Sequence, residues 1–183
     1  MKLLSPEDIV SFINLSRVVD GAQVKSRIYF DSLFTPDPVT WRSVLQSVHF
    51  RRCALSNLDA ANVAFRGRFV LEDCVIDAAQ FTFTYFLGGL QILRCTFRSD
   101  LDFQSGGHNS GTAPCRIEDS SFEGFVNFAD CWFEGPVQVG GCRFARGTNL
   151  LGNKRSPLEV RFDVPPIVAE NLGALDLDGE SAT

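Results

Sequence analysis

A short phrase recurs along this chain at fixed intervals, and that periodicity restricts the fold more than any other feature. It reads Val48-x-Phe50-x-x-Cys53-x-Leu55, Phe69-x-Leu71-x-x-Cys74-x-Ile76 and Leu90-x-Ile92-x-x-Cys95-x-Phe97, three copies spaced by 21 residues. Downstream the interval halves: Val126-x-Phe128-x-x-Cys131-x-Phe133 is followed 11 residues on by Val137-x-Val139-x-x-Cys142-x-Phe144 and then by Thr148-x-Leu150. Phe81-x-Phe83 and Leu101-x-Phe103 fill the gaps, and Cys115-x-Ile117-x-x-Ser120-x-Phe122 restarts the series after an insertion. Ile28-x-Phe30, Val39-x-Trp41 and Val160-x-Phe162-x-Val164 read as degenerate end rungs. Self-similarity at such a period is the signature of a solenoid.

Each apolar triplet is too short for a helix, is bounded by Gly, Asp, Asn or Ser, and alternates with period two. Val, Phe and Cys therefore point inward from short strands while the residues between them meet water. One coil cannot bury its own apolar face, so stacking of coils supplies the core. Burying each Phe is worth about 1.5–3 kcal/mol, which explains why 17 of the 183 residues are Phe and only one is Met. The expected organisation is an N-terminal cap over residues 1–27, a solenoid over 28–164 with an inserted loop at 104–114, and an irregular acidic tail over 165–183. In the cap, Ser5-Pro6-Glu7-Asp8 carries the marks of a helix start, and Ile9, Phe12 and Ile13 give that helix an apolar stripe to lay over the open end of the core.

Ser56-Asn57-Leu58-Asp59-Ala60 and Ala61-Asn62-Val63-Ala64-Phe65 resemble two consecutive pentapeptide repeats, and the run from Phe122 to Gly135 resembles the Phe-Gly-rich, 11-step variant of those repeats. The resemblance to pentapeptide-repeat proteins implies an all-β fold: a right-handed parallel β-helix, a quadrilateral solenoid of about six coils of ~21 residues with a short N-terminal capping helix. The strict five-residue beat holds only from Val48 to Val63, which leaves a three-sided or a four-sided coil open.

Function is less constrained. The formal net charge of −5 gives no basic face for holding phosphates, so direct nucleic-acid binding is not expected. No stretch approaches the ~18–20 apolar residues of a membrane span. The opening Met1-Lys2-Leu3-Leu4-Ser5-Pro6-Glu7-Asp8 is not read as a signal peptide, so a cytoplasmic protein of bacterial type with reduced cysteines is expected. Cys53, Cys74 and Cys95 share one phase and should form a column at ~4.8 Å spacing; its outer members are too far apart for one tetrahedral metal with ~2.3 Å bonds to sulfur. Neither a metal nor a cofactor is expected, and no catalytic residue is assigned, since His49 and His108 belong to no triad.

The leading reading is a non-enzymatic protein-binding or scaffold module that presents a rigid β-helix face to a protein partner. Its candidate binding residues are His108 and Asn109 in the Gly-rich loop, Trp132, which alternation leaves outward, and a basic patch of Arg51, Arg52, Arg66 and Arg68. Self-association through exposed coil edges is a further expectation. Two alternatives remain. The family resemblance implies DNA mimicry directed at a topoisomerase such as gyrase, which requires a continuous acidic face; yet eleven acids and nine arginines between Val48 and Leu150 give a net of only −2, against ~17 charges on duplex DNA of equal height. The other is a polysaccharide-active β-helix enzyme built on paired acids such as Asp100 with Asp102, or Glu118 with Asp119.

Overall fold

The computed structural model describes residues 1–15, 17–35 and 42–179; the degenerate rung at Val39-x-Trp41 lies outside them. The chain is a parallel β-solenoid of about six turns with one short helix. Pro6–Asn14 forms that helix, with Ser5 as N-cap. The Ser5 hydroxyl accepts a bond from the Asp8 amide at 3.2 Å, and the Asp8 carboxylate accepts one from the Ser5 amide at 2.9 Å, a closed capping box. Ile9 and Ile13 are fully buried against the first coil, so the helix seals that end of the core. Ahead of it, Lys2–Leu3 adds a strand in parallel to Ala22–Gln23, which the repeat pattern did not indicate.

The ladders settle the cross-section. Inward residues come in pairs two apart, and successive pairs are five residues apart: Val48/Phe50, Cys53/Leu55, Leu58/Ala60 and Val63/Phe65, all buried. That makes four sides to a coil. On the first face Val19–Asp20, Val48–Arg51, Phe69–Glu72, Leu90–Leu93, Cys115–Glu118, Val137–Gly140 and Ile167–Ala169 stack in parallel. Ala22–Tyr29, Ala54–Asp59 and Val75–Gln80 run along both the second and third faces. The fourth is built from Ser43–Val44 on Ala64–Phe65 and Trp132–Phe133 on Arg161–Phe162, joined by bridges through Tyr85 and Gly107.

The register reproduces the sequence interval, with Val48 opposite Phe69 and Phe69 opposite Leu90. At the corner after the first face the chain turns through a left-handed residue in every coil: Gly21, Arg52, Asp73, Arg94, Asp119, Gly141 and Glu170 all have positive φ. The next inward column holds Ala22, Cys53, Cys74, Cys95, Ser120, Cys142 and Asn171. Where Ser and Asn replace Cys they cap the coil before them, the Ser120 hydroxyl accepting from the Cys95 amide (3.0 Å) and the Asn171 carbonyl oxygen from the Cys142 amide (2.9 Å). All six cysteines are buried and unpaired. Burial pushes the Cys115 thiol up to about 12, so it is no thiolate nucleophile near neutrality.

Two boundaries differ from the sequence reading. The segment after Pro165 is not irregular: Ile167–Ala169 pairs with Val137–Gly140, Leu172 bridges Arg143, and the Leu151 amide donates to the Leu175 carbonyl at 2.8 Å. Residues 167–179 thus continue the coil, because parallel pairing needs only backbone groups and a tolerant side-chain set. The 104–114 segment is not a free insertion either. Gly106, Gly107 and Asn109 are buried, and Leu90 pairs with Cys115, so the excess over one 21-residue coil is absorbed locally, one residue between Phe97 and Leu101 and the rest between Gly107 and Cys115.

Candidate functional site

Outward positions on the fourth face are polar or small in the coil at Asn62, Ala64 and Arg66. One coil later the same positions carry Phe83, Tyr85 and Leu87. Phe83 sits at the corner with φ of 53° and 52% of its surface exposed. Asn62, Ser105 and Asp130, the equivalent residues of neighbouring coils, are left-handed as well. Short polar residues tolerate this conformation, whereas in a bulky aromatic it is an outlier. Nothing in the core requires the ring, since it faces solvent.

His108 joins this surface by a local irregularity. Gly107 and His108 both have positive φ, at 93° and 44°, and a Cβ on Gly107 would lie 2.8 Å from the Trp132 carbonyl oxygen, so only glycine fits between the coils there. The double twist sends the imidazole outward between two rings, its centroid 4.3 Å from Tyr85 and 5.5 Å from Trp132. Arg161 extends the column, its guanidinium carbon 5.4 Å from the Trp132 ring centre. The Trp132 indole N–H donates to Asp163 Oδ1 at 2.9 Å, which fixes the ring. Glu134 stands 3.8 Å from His108 Nδ1.

The structure therefore brings His108 and Trp132 together, as neighbours in one stack, and adds Tyr85 and Arg161, which the sequence reading did not single out, together with Phe83, which the rung Phe81-x-Phe83 had placed inward and which the left-handed corner turns to solvent. Asn109 is a correction: it is fully buried, donating to the carbonyls of Ala113 (2.9 Å) and Pro136 (3.0 Å) and accepting from the Gly135 amide (3.1 Å). It closes the turn and offers nothing to a ligand. The four arginines do not form one patch. Arg51 and Arg52 both bind Asp20, whose carboxyl they hold down at about 2, whereas Arg66 and Arg68 precede the strand Phe69–Glu72 at the opposite edge of the face.

The acid pair Asp100 and Asp102 is likewise engaged. Asp100 accepts from the Phe125 amide at 2.7 Å, and Asp102 accepts from the Gln104 amide (2.9 Å), the Asn127 side-chain amide (2.9 Å) and the Thr82 hydroxyl (3.0 Å). These carboxylates tie coils together. Among the described residues no group of three or more His, Cys, Asp or Glu is placed to hold a metal, and no helix is long and apolar enough to cross a membrane.

No family model matches the chain, and no curated protein matches it. Among solved structures it is similar to a trypsin-treated variant of QnrB1, a plasmid-mediated fluoroquinolone resistance protein. The identity is 11%, the alignment covers 88% of this chain and 91% of that one, and the TM-score is 0.38. The fold assignment rests on the strand ladders of the chain itself.

The stack makes one pH-dependent contribution to stability. Burial holds the His108 imidazole below its ordinary value of 6.5, outweighing the opposing pull of Glu134. The folded protein then binds fewer protons at this site than the unfolded chain, so the contribution is complete above about pH 6.5 and declines as pH falls through that value toward the folded one. Urea denaturation midpoints should fall between about pH 7 and pH 5, and His108→Gln should flatten that dependence. A slope unchanged by the substitution would exclude His108 as its source.

Proposed function

We propose that this protein is a non-enzymatic binding module, acting in a reducing, cytosolic compartment, whose fourth face docks another protein through Phe83, Tyr85, His108 and Trp132. The observation that carries this reading is Phe83, a half-exposed aromatic at a left-handed corner. Strain of this kind costs about 1–3 kcal/mol, and a ring with 52% of its surface exposed offsets only part of it by burial. Aromatic anchors on a rigid surface are the usual centres of protein interfaces, and stacked coils supply the rigidity. The alternative of DNA mimicry calls for unbroken negative charge, while Arg52, Asp73, Arg94 and Asp119 alternate in sign along the first corner, with Arg94 Nε meeting Asp73 Oδ1 at 2.6 Å.

Phe83→Asn tests the reading, since Asn62 occupies the same corner one coil earlier. The variant should melt at the same temperature or higher, with a gain of up to about 1 kcal/mol, and should lose a stoichiometric partner that the unaltered protein captures from native cytosol. Retention of that partner, or a clear loss of stability, would sink the assignment of Phe83 as an anchor. Point substitution is preferable to excising residues 104–114, which would remove the buried Asn109.

A further inference from the structure

We propose that His108 is a pH-operated gate on this face: neutral, it joins Tyr85 to Trp132 in one continuous stack; protonated, it rotates onto Glu134 and splits the stack in two. The consequence for a partner rests on the docking reading above. The main chain at this point is fixed. The His108 backbone N–H donates to the Trp132 carbonyl oxygen at 2.7 Å, and Gly107 is wedged against the same carbonyl. The imidazole is held by softer contacts, its centroid 4.3 Å from Tyr85 and 5.5 Å from Trp132, with Glu134 at 3.8 Å from Nδ1. A change of rotamer therefore moves the ring and leaves the ladder intact.

The surrounding charges favour that rotation once the ring carries a proton. Glu134, Arg161 and Asp130 are the charged groups that act on it, and Tyr85 is its titratable neighbour. The Glu134 side chain is 40% exposed and that of His108 only 26%, so moving toward Glu134 brings an imidazolium both to a counter-charge and to water. Trp132 offers no such refuge, because the Arg161 guanidinium already lies over that ring and repels a second cation. Asp130 is engaged by the Ser105 hydroxyl at 3.0 Å. The contact with Tyr85, tilted by 55°, holds a cation less strongly than a charge-assisted hydrogen bond to a carboxylate does.

Burial holds the imidazole below 6.5, so the stack is continuous at neutral pH and divides on acidification below that value. A partner surface laid over the whole stack would then cover two separated rings and a cation, whose desolvation costs affinity.

Nuclear magnetic resonance with labelled histidine tests the gate, since His49 and His108 are the only histidines and His108→Gln assigns the signals. At about pH 8, Overhauser contacts should connect the His108 and Tyr85 rings, and they should vanish as His108 titrates. The midpoint should lie below 6.5, with circular dichroism at about pH 5 showing the strands intact. Glu134→Gln should lower that midpoint by roughly half a unit or more and preserve the ring contacts in acid, whereas Arg161→Gln should raise it. Contacts that persist once His108 is protonated, a midpoint unmoved by Glu134→Gln, or no titration down to about pH 5 overturns the proposal. If the gate operates but a cytosolic partner lost with Phe83→Asn is held equally at about pH 7.5 and about pH 5.5, the regulatory role falls and the docking reading stands. If Phe83→Asn loses no partner, the docking reading falls whatever His108 does.

Discussion

Replacing Phe69 by alanine is expected to destabilise the protein by about 3–5 kcal/mol, a large part of the stability of a domain of this size. The side chain is fully buried, and its ring lies 4.7 Å from Phe65, 5.7 Å from Phe81, 5.9 Å from Phe86 and 6.1 Å from Phe30. Those rings come from consecutive coils, so removing Phe69 opens a hole at the junction of a whole stack. The surrounding strands are locked in register by their ladders and cannot close over it, which places the loss near the top of the usual range for a deleted phenylalanine. Urea denaturation at neutral pH measures it. Phe162 is the natural comparison, since it stacks on Phe133 at 5.4 Å from the last coil and is only partly buried; Phe162→Ala should cost about half as much or less. Equal losses at the two positions would mean that the core is not graded along the axis.

Gly88→Ala should be damaging for a different reason. Gly88 does not have the left-handed backbone that favours glycine, so conformational strain is not the issue. A Cβ there would overlap the Arg66 carbonyl oxygen and lie 2.5 Å from the carbonyl carbon of Gly67, atoms of the preceding coil's backbone that cannot swing aside. Coils must therefore separate locally, at an expected cost of about 3 kcal/mol, the upper end of the overpacking range. Gly111→Ala is the control, because a Cβ there meets nothing within 4 Å and should leave the melting temperature nearly unchanged. A near-neutral Gly88→Ala would show that the coils have slack at that corner.

Much of the architecture is legible in the sequence. The phrase at Val48, Phe69 and Leu90 places the same side chains opposite one another that the ladders pair, and the cysteine column follows from its phase. The capping helix was legible from Ser5-Pro6-Glu7-Asp8, whose side-chain chemistry acts within one turn. Residues 167–179 were not legible as coil, because Asn171 and Gly173 occupy inward positions that elsewhere hold Cys and Phe, and the apolar signal is diluted. The candidate site was only half visible. Alternation turns Trp132 outward, but it gives no reason to rank Tyr85 above any other outward residue, and it cannot say that Phe83 adopts positive φ. Asn109 and His108 are neighbours in a Gly-rich stretch and looked equivalent; one is fully buried and the other stands in an aromatic stack.

The division follows from the range of the forces involved. Which side of a strand a residue faces is a local property of an extended backbone with a two-residue period, and so is the cap of a helix; both were determined by the sequence alone. Which residues meet across coils depends on the summed length of every turn between them, including the extra residues between Leu90 and Cys115. Only the tertiary structure could decide that Tyr85, His108, Trp132 and Arg161 share one column, because their proximity is produced by backbone pairing between segments far apart in the chain.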